Sequence, residues 1–207
     1  MLTIWGRQNS TNVRKVLWCA EELELSYRRL DAGGAYGVVD GAAYRDLNPN
    51  GRIPTLEDDG FVLWESNAIV RYLLATHADG TPWHPADTRA RASADRWMDW
   101  TTATLAGPFR DLFWGVVRTP PEHQDQAAIL RARDACGGIL RIADQALSAA
   151  PYLSGQAIGM GDIPLGSFAY AWFGMAIERP DLPHLWRWYQ RLAGRPAYQR
   201  AVMTELT

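Results

Sequence analysis

Strand-forming patterns fill the first third of this chain and stop at Trp64. Everything beyond reads as linker, turn or helix. A chain whose hydrophobic period changes once in this way folds as an α/β unit followed by an all-helical one.

The first unit reads in detail as follows. Residues 2–5, Leu-Thr-Ile-Trp, are β-prone, and residues 6–11 form a polar loop. Val13, Val16, Leu17, Ala20 and Leu23 then recur at helical spacing, with Arg14, Lys15, Glu21, Glu22 and Glu24 mostly on other faces. That is an amphipathic helix. Residues 26–30 suit a second strand, residues 33–41 hold four glycines and form a loop, and residues 42–47 suit a short helix. Asn48-Pro49-Asn50-Gly51 is dense turn chemistry. Residues 54–57 and 61–64 flank Asp58-Asp59-Gly60 as a β-hairpin. Ser66 opens a helix carrying Ile69, Val70, Leu73 and Leu74, with its hydroxyl placed to cap free N–H groups. The order is βαβαββα over residues 1–78.

Residues 79–87 bring Gly80, Pro82 and Pro85 and read as a linker. Residues 88–207 are expected to be all helix: 88–114, bent at Gly107-Pro108, then from Pro120-Pro121 to 147, then 162–177, 181–192 and 196–203.

Composition excludes several classes. The chain is 47% hydrophobic and 21% charged with a net charge of −2, which offers no general attraction to nucleic acid or anionic membrane. Cys19 and Cys136 make neither a disulfide framework nor a C-x-x-C pair. The first ten residues are too polar for a signal peptide, and no apolar run reaches membrane-spanning length. A cytoplasmic protein without a metal is expected. The ten tryptophans are core filler or, in one or two cases, the wall of an apolar pocket.

Three clusters carry chemistry. Ser10-Thr11-Asn12 precedes the first helix, where free N–H groups and a positive dipole end favour an anion, including a thiolate. The same residues also suit a plain N-cap. Arg52-Ile53-Pro54 opens a strand: either an ordinary trans proline, or a cis bond that leaves the Ile53 backbone free to pair with a peptide. Glu65-Ser66 starts the third helix, as a cap or as a site for a ligand carboxylate and ammonium.

In this order and spacing the clusters resemble the cytosolic glutathione transferase family. The likeness spans nearly the whole chain and is strongest in Ser10-Thr11-Asn12-Val13-Arg14-Lys15-Val16, in Asn48-Pro49-Asn50-Gly51-Arg52-Ile53-Pro54 and in Trp64-Glu65-Ser66-Asn67-Ala68-Ile69. It implies a thioredoxin-like domain before an all-α domain, glutathione as co-substrate and a symmetric homodimer in which Trp97-Met98-Asp99-Trp100 contributes. It also implies the serine/asparagine branch of bacterial members, theta-like or nu-like, because no tyrosine or cysteine sits at the loop. Ser10 or Asn12 would then activate the thiol, with Thr11 beside them. Ile53 and Pro54 would face the cysteinyl backbone, Glu65 and Ser66 the γ-glutamyl end, and Arg52 the glycyl carboxylate. The stretch Tyr36-Gly37-Val38-Val39-Asp40 departs from many members in lacking a basic residue. Ile158-Gly159-Met160-Gly161-Asp162 resembles the family's capping segment, with Gly159 in place of the hydroxyl residue.

The implied activity is attack of the glutathione thiolate on an apolar electrophile held by Trp5, Phe109, Phe113, Trp114 and Trp172, residues that serve equally well as core. Reduction of small disulfides or peroxides by the same thiolate is the alternative enzyme, and a non-catalytic binding protein on the same fold is the third reading.

Overall fold

A computed structural model describes all 207 residues. Strands β1 (Leu2–Trp5), β2 (Tyr27–Leu30), β3 (Thr55–Asp58) and β4 (Phe61–Trp64) form one sheet in the order β2-β1-β3-β4. β1 runs parallel to β2 and antiparallel to β3, and β3 pairs antiparallel with β4. A parallel step needs a crossover, and α1 (Thr11–Glu22) supplies it. The β3–β4 step needs only a tight turn, carried by Asp59 and Gly60 at φ 44° and 90°. With α2 (Ala42–Leu47) and α3 (Ser66–His77) the order is βαβαββα, and the sheet is thioredoxin-like.

α1 is buried from Val13 to Ala20, Arg14 and Lys15 included. The expectation that those two cations lie mostly on faces other than the buried one therefore does not hold for them. The cause is position: α1 packs against α3 within its own unit and against α7 (Asp162–Gly174) and α9 (Pro196–Ala201) of the helical unit. Trp18 reaches α7 because Gly166 has no side chain; a Cβ there would lie 2.5 Å from the indole. Arg195 closes the same seam with two hydrogen bonds to the Glu22 carboxylate, at 2.7 and 2.6 Å.

The helical unit begins with α4 (Thr88–Trp100), capped by Asp87, whose carboxylate accepts from the Ala90 N–H at 2.8 Å. The chain stays helical through a wide π-type turn (Thr101–Leu105), α5 (Ala106–Phe113) and a second such turn (Trp114–Arg118). The widening precedes the expected bend at Gly107-Pro108. Pro108 has no N–H to give the turn before it, and that turn loosens. Pro121–His123 form only a 3₁₀ turn, and α6 (Gln126–Leu147) starts after the Asp125 cap, five residues later than the proline pair suggested. α7 (Asp162–Gly174), α8 (Pro183–Ala193) and α9 (Pro196–Ala201) follow. α7 ends before the expected Ile177. Trp18, Trp172 and Trp188 are fully buried and serve the core, whereas Trp114 is 53% exposed. No helix is long and apolar enough to cross a membrane.

Candidate functional site

The loop from β1 to α1 turns tightly over its own helix. Gly6 sits at φ 148°, and a Cβ there would come within 2.4 Å of Val13 Cγ2, so only glycine allows the approach. Ser10 stands at the N-cap position with extended backbone, and its carbonyl accepts from the Arg14 N–H at 2.9 Å. Its hydroxyl makes no capping bond. The first-turn N–H groups of α1 thus keep no side-chain acceptor, and a free hydroxyl stands beside them. Asn12, two residues on and still in the first turn, is exposed. The Ser66 hydroxyl donates to Asn12 Oδ1 at 3.3 Å, which leaves the Asn12 amide hydrogens as donors.

The Ile53–Pro54 bond is cis. Its corner is held from beneath. Tyr44 donates to the Arg52 carbonyl at 2.7 Å, and Asn48 Nδ2 donates to the same oxygen at 2.9 Å and to Thr55 Oγ1 at 3.0 Å. The N–H of Asn50 closes the turn on Asn48 Oδ1 at 3.1 Å. No hydrogen bond within the chain uses the Ile53 N–H or C=O. The turn motif at residues 48–51 was legible; the role of Asn48, Tyr44 and Thr55 as its clamp was not, because it depends on contacts across the fold.

Glu65 lies at φ 74°, ψ 112°, a conformation side-chain-bearing residues avoid, at a cost of about 1–3 kcal/mol. It holds the N-cap position of α3 with no capping bond, and its side chain is exposed. Ser66 does not cap α3 either, contrary to expectation: it is already the first helical residue, and its hydroxyl points to Asn12. Two residues that would ordinarily satisfy a helix start both leave it open.

Ser10, Thr11, Asn12 and Arg52 line one cleft of about 370 Å³, with Phe109, Phe113 and Trp114 from α5 and the turn after it. Trp5 does not line it. The Trp5 indole donates to Glu57 at 2.5 Å and stands edge-on to Tyr44, on the sheet side of the chain. Trp172, fully buried, is core as well. The cleft differs from an apolar pocket in a second way: Arg7, Arg52, Arg110 and Arg118 line it, and no carboxylate does. Arg118 stacks over Phe113 and Trp114, with its guanidinium 5.5 and 5.1 Å from the two ring centres. Burial and the charge of Arg118 both hold Arg7 below its usual range. Sequence reading missed Arg7, Arg110 and Arg118 because they are scattered along the chain and fold distance alone gathers them.

Neither cysteine can supply a reactive thiolate. Burial pushes Cys19 far up and Cys136 up to about 12.

Family models describe the two parts separately. One, the N-terminal domain of glutathione S-transferase, matches residues 9–76, and another, its C-terminal domain, matches residues 101–196. Glutathione S-transferase GstB of Escherichia coli K12 is 44% identical over 205 residues, 98% of either chain. The crystal structure of a theta class glutathione S-transferase from the citrus canker pathogen Xanthomonas axonopodis pv. citri, with glutathione bound, superposes with a TM-score of 0.96. It is 62% identical and covers 100% of this chain and 99% of that one. Glutathione transferase F7 of Populus trichocarpa shares the fold at a TM-score of 0.85 and 22% identity, over 98% of both chains.

Proposed function

Because the chain belongs to the glutathione S-transferase family and is a glutathione transferase, we propose that Ser10 and Asn12 together hold its co-substrate's sulfur as a thiolate. The observation that carries this reading is the uncapped start of α1. A serine at an N-cap position normally folds its oxygen back onto the helix; this one keeps it free beside the Asn12 amide and the first-turn N–H groups. Three kinds of donor then converge where a negative charge is wanted. In this reading Thr11 contributes its N–H. The Ile53 backbone beside Pro54 pairs with the cysteinyl residue. Ser66 takes the γ-glutamyl carboxylate, its hydroxyl hydrogen turning from Asn12 Oδ1 to the ligand, and Glu65 takes the ammonium, which explains why neither caps α3. Arg52 meets the glycyl carboxylate. This is the serine/asparagine mode, theta-like or nu-like.

Residues 1–78 form the glutathione-binding domain, 79–87 its linker and 88–207 the domain that shapes the second pocket. There Phe113 and Trp114 carry the body of the electrophile. Arg118 stands beside them without a carboxylate side-chain partner, and Arg110 beside it is paired with Asp111 at 2.9 Å, so an acidic substituent on that body is favoured chiefly by Arg118. The thiolate attacks the activated carbon: a C–S bond forms, the bond to the leaving group breaks, and that group departs with the bonding pair. The thiol proton has by then gone to solvent.

One experiment tests the reading. Bound glutathione should show the thiolate absorbance band at neutral pH. It should also displace chloride from 4-chloro-3,5-dinitrobenzoate about tenfold better than from the corresponding benzamide, each rate taken relative to its uncatalysed reaction. No retained glutathione, or an unshifted thiol band, would defeat the transferase mechanism and favour a binding protein. Faster turnover of a mixed disulfide than of either aryl chloride would favour the reductase reading, which uses the same thiolate.

The enzyme acts as a symmetric homodimer. Of the stretch expected at its interface, Trp97 and Met98 turn into the core, so Asp99 and Trp100 carry the contact. Sedimentation at twice the chain mass checks this; monomer mass across micromolar concentrations would refute it.

A further inference from the structure

Lys15 is a buried cation with no carboxylate in contact; Glu65 favours its charge only from beyond ion-pair distance. The lysine is 2% exposed, on the middle of α1. It takes part in none of the chain's ion pairs. Its Nζ donates once, to Ser66 Oγ at 3.4 Å, and lies 5.6 Å from the centre of the Phe168 ring. A buried ammonium has three hydrogens to place and a charge to balance, and one long bond and one ring face fall short of both. The missing partner is an anion, and the one hydrogen bond points to where it docks.

We propose that Lys15 is the buried counter-charge for the α-carboxylate at the γ-glutamyl end of glutathione, a positioning residue that acts through the Ser66 hydroxyl. This rests on the glutathione reading above. With the ligand in place, charges alternate along one line: Lys15 ammonium, ligand carboxylate, ligand ammonium, Glu65 carboxylate. The low-dielectric seam between α1, α3 and α7 leaves the Lys15 charge little screened, so it acts strongly over that distance.

The neighbours leave few other electrostatic influences. From α3 the ionised group is Glu65, which favours the charged lysine. α7 presents the Phe168 ring. Arg14, next on α1, is turned to the Tyr170 ring and to Thr204. From α9 and its cap, Arg200 and Arg195 are paired with Glu21 and Glu22. Burial outweighs Glu65 and pushes Lys15 down to about 8. A bound carboxylate favours the charged form, so binding must draw a proton onto Lys15 at alkaline pH.

Calorimetry with S-methylglutathione, which has no thiol to titrate, tests this. At pH 8.5, in two buffers of different ionisation enthalpy, wild type should take up about half a proton more on binding than Lys15→Met. At pH 7 the variant should bind at least about tenfold more weakly. Its melting temperature should nevertheless rise, by about 5 °C, because a buried uncompensated charge has been replaced by an apolar chain of similar volume. A merely structural lysine would lose stability and affinity together. Wild type should likewise lose the extra proton uptake with the S-methyl peptide whose γ-glutamyl α-carboxylate is replaced by hydrogen. Equal affinity and proton uptake in the two proteins, or undiminished uptake with the decarboxylated ligand, would overturn the Lys15 assignment alone. Failure of wild type to bind S-methylglutathione would overturn the glutathione reading and this assignment with it.

Discussion

Removing both donors, in the double variant Ser10→Ala/Asn12→Ala, moves the ionisation of bound glutathione up by about two units, to near the value of about 8.5 for a free thiol. Two units correspond to about 2.7 kcal/mol of preferential thiolate stabilisation. Two charge-assisted hydrogen bonds and a helix terminus account for that sum. The thiolate fraction at pH 6.5 then falls about fiftyfold. The rate falls less, by roughly tenfold, because the more basic thiolate is the better nucleophile. By pH 9 the variant approaches or passes wild type, since the thiol ionises without help. A stopped titration of the thiolate absorbance band, with kcat/KM measured from pH 6 to 9.5, checks both parts. In Ser10→Ala alone, glutathione affinity at pH 6 should change little, because Ile53, Glu65 and Ser66 keep their contacts. The single variants decide the division of labour. Ser10 has no competing partner within the chain, whereas Asn12 is held in place by Ser66. Loss of Ser10 therefore removes a donor and nothing else. Loss of Asn12 also frees the Ser66 hydroxyl and shows a second effect on affinity.

Which parts of this site could be read from residues alone follows from how local each one is. The hairpin at Asp58-Asp59-Gly60, the amphipathic α1 and α3 and the change to pure helix after the linker all depend on neighbours a few positions apart, and all were legible. The fold class followed from them. Ser66 was misread as a cap because its sequence context is that of a cap; the hydroxyl is diverted by Asn12, 54 positions away in the chain. Lys15 looked like an outer-face cation because a helical wheel assumes solvent on one side, and α1 has none over its middle turns. Trp5 was offered to the pocket on chemistry, but the strand alternation sets its direction, and it points to Glu57. The arginine wall of the cleft has no local signature. Arg7 and Arg118 are more than a hundred positions apart and meet only because the turn after α5 folds over the loop before α1.

Asp162→Ala should destabilise the protein by about 3–5 kcal/mol while leaving the chemistry of the remaining folded molecules intact. Asp162 opens α7, is fully buried and lies away from the cleft. Its two oxygens accept four hydrogen bonds. Oδ1 takes the Leu153 N–H and the Trp188 indole, each at 2.8 Å, and Oδ2 takes the Gly159 N–H at 3.1 Å and the Ser154 N–H at 3.3 Å. Gly159 sits where a capping hydroxyl is expected, and it has no room for one. A Cβ there would lie 2.7 Å from the Pro82 carbonyl oxygen and 2.9 Å from Ser154. Pro82 thus presses on this segment, and the Asp162 carboxylate joins it to the start of α7 and to Trp188 of α8. Alanine strands three buried donors and one partly buried one at once, each worth about 1 kcal/mol or more when left unpaired in the interior. A domain pair of this size melts about 2–4 °C lower per kcal/mol, so the transition should drop by about 10–15 °C. Asp162→Asn keeps one acceptor oxygen and turns an amide against two N–H groups, and it should recover less than half of the loss. Urea titration of the two variants beside wild type, with glutathione affinity measured well below the transition, separates stability from function. A melting temperature within 3 °C of wild type for the alanine variant would show that the four bonds do not hold this junction.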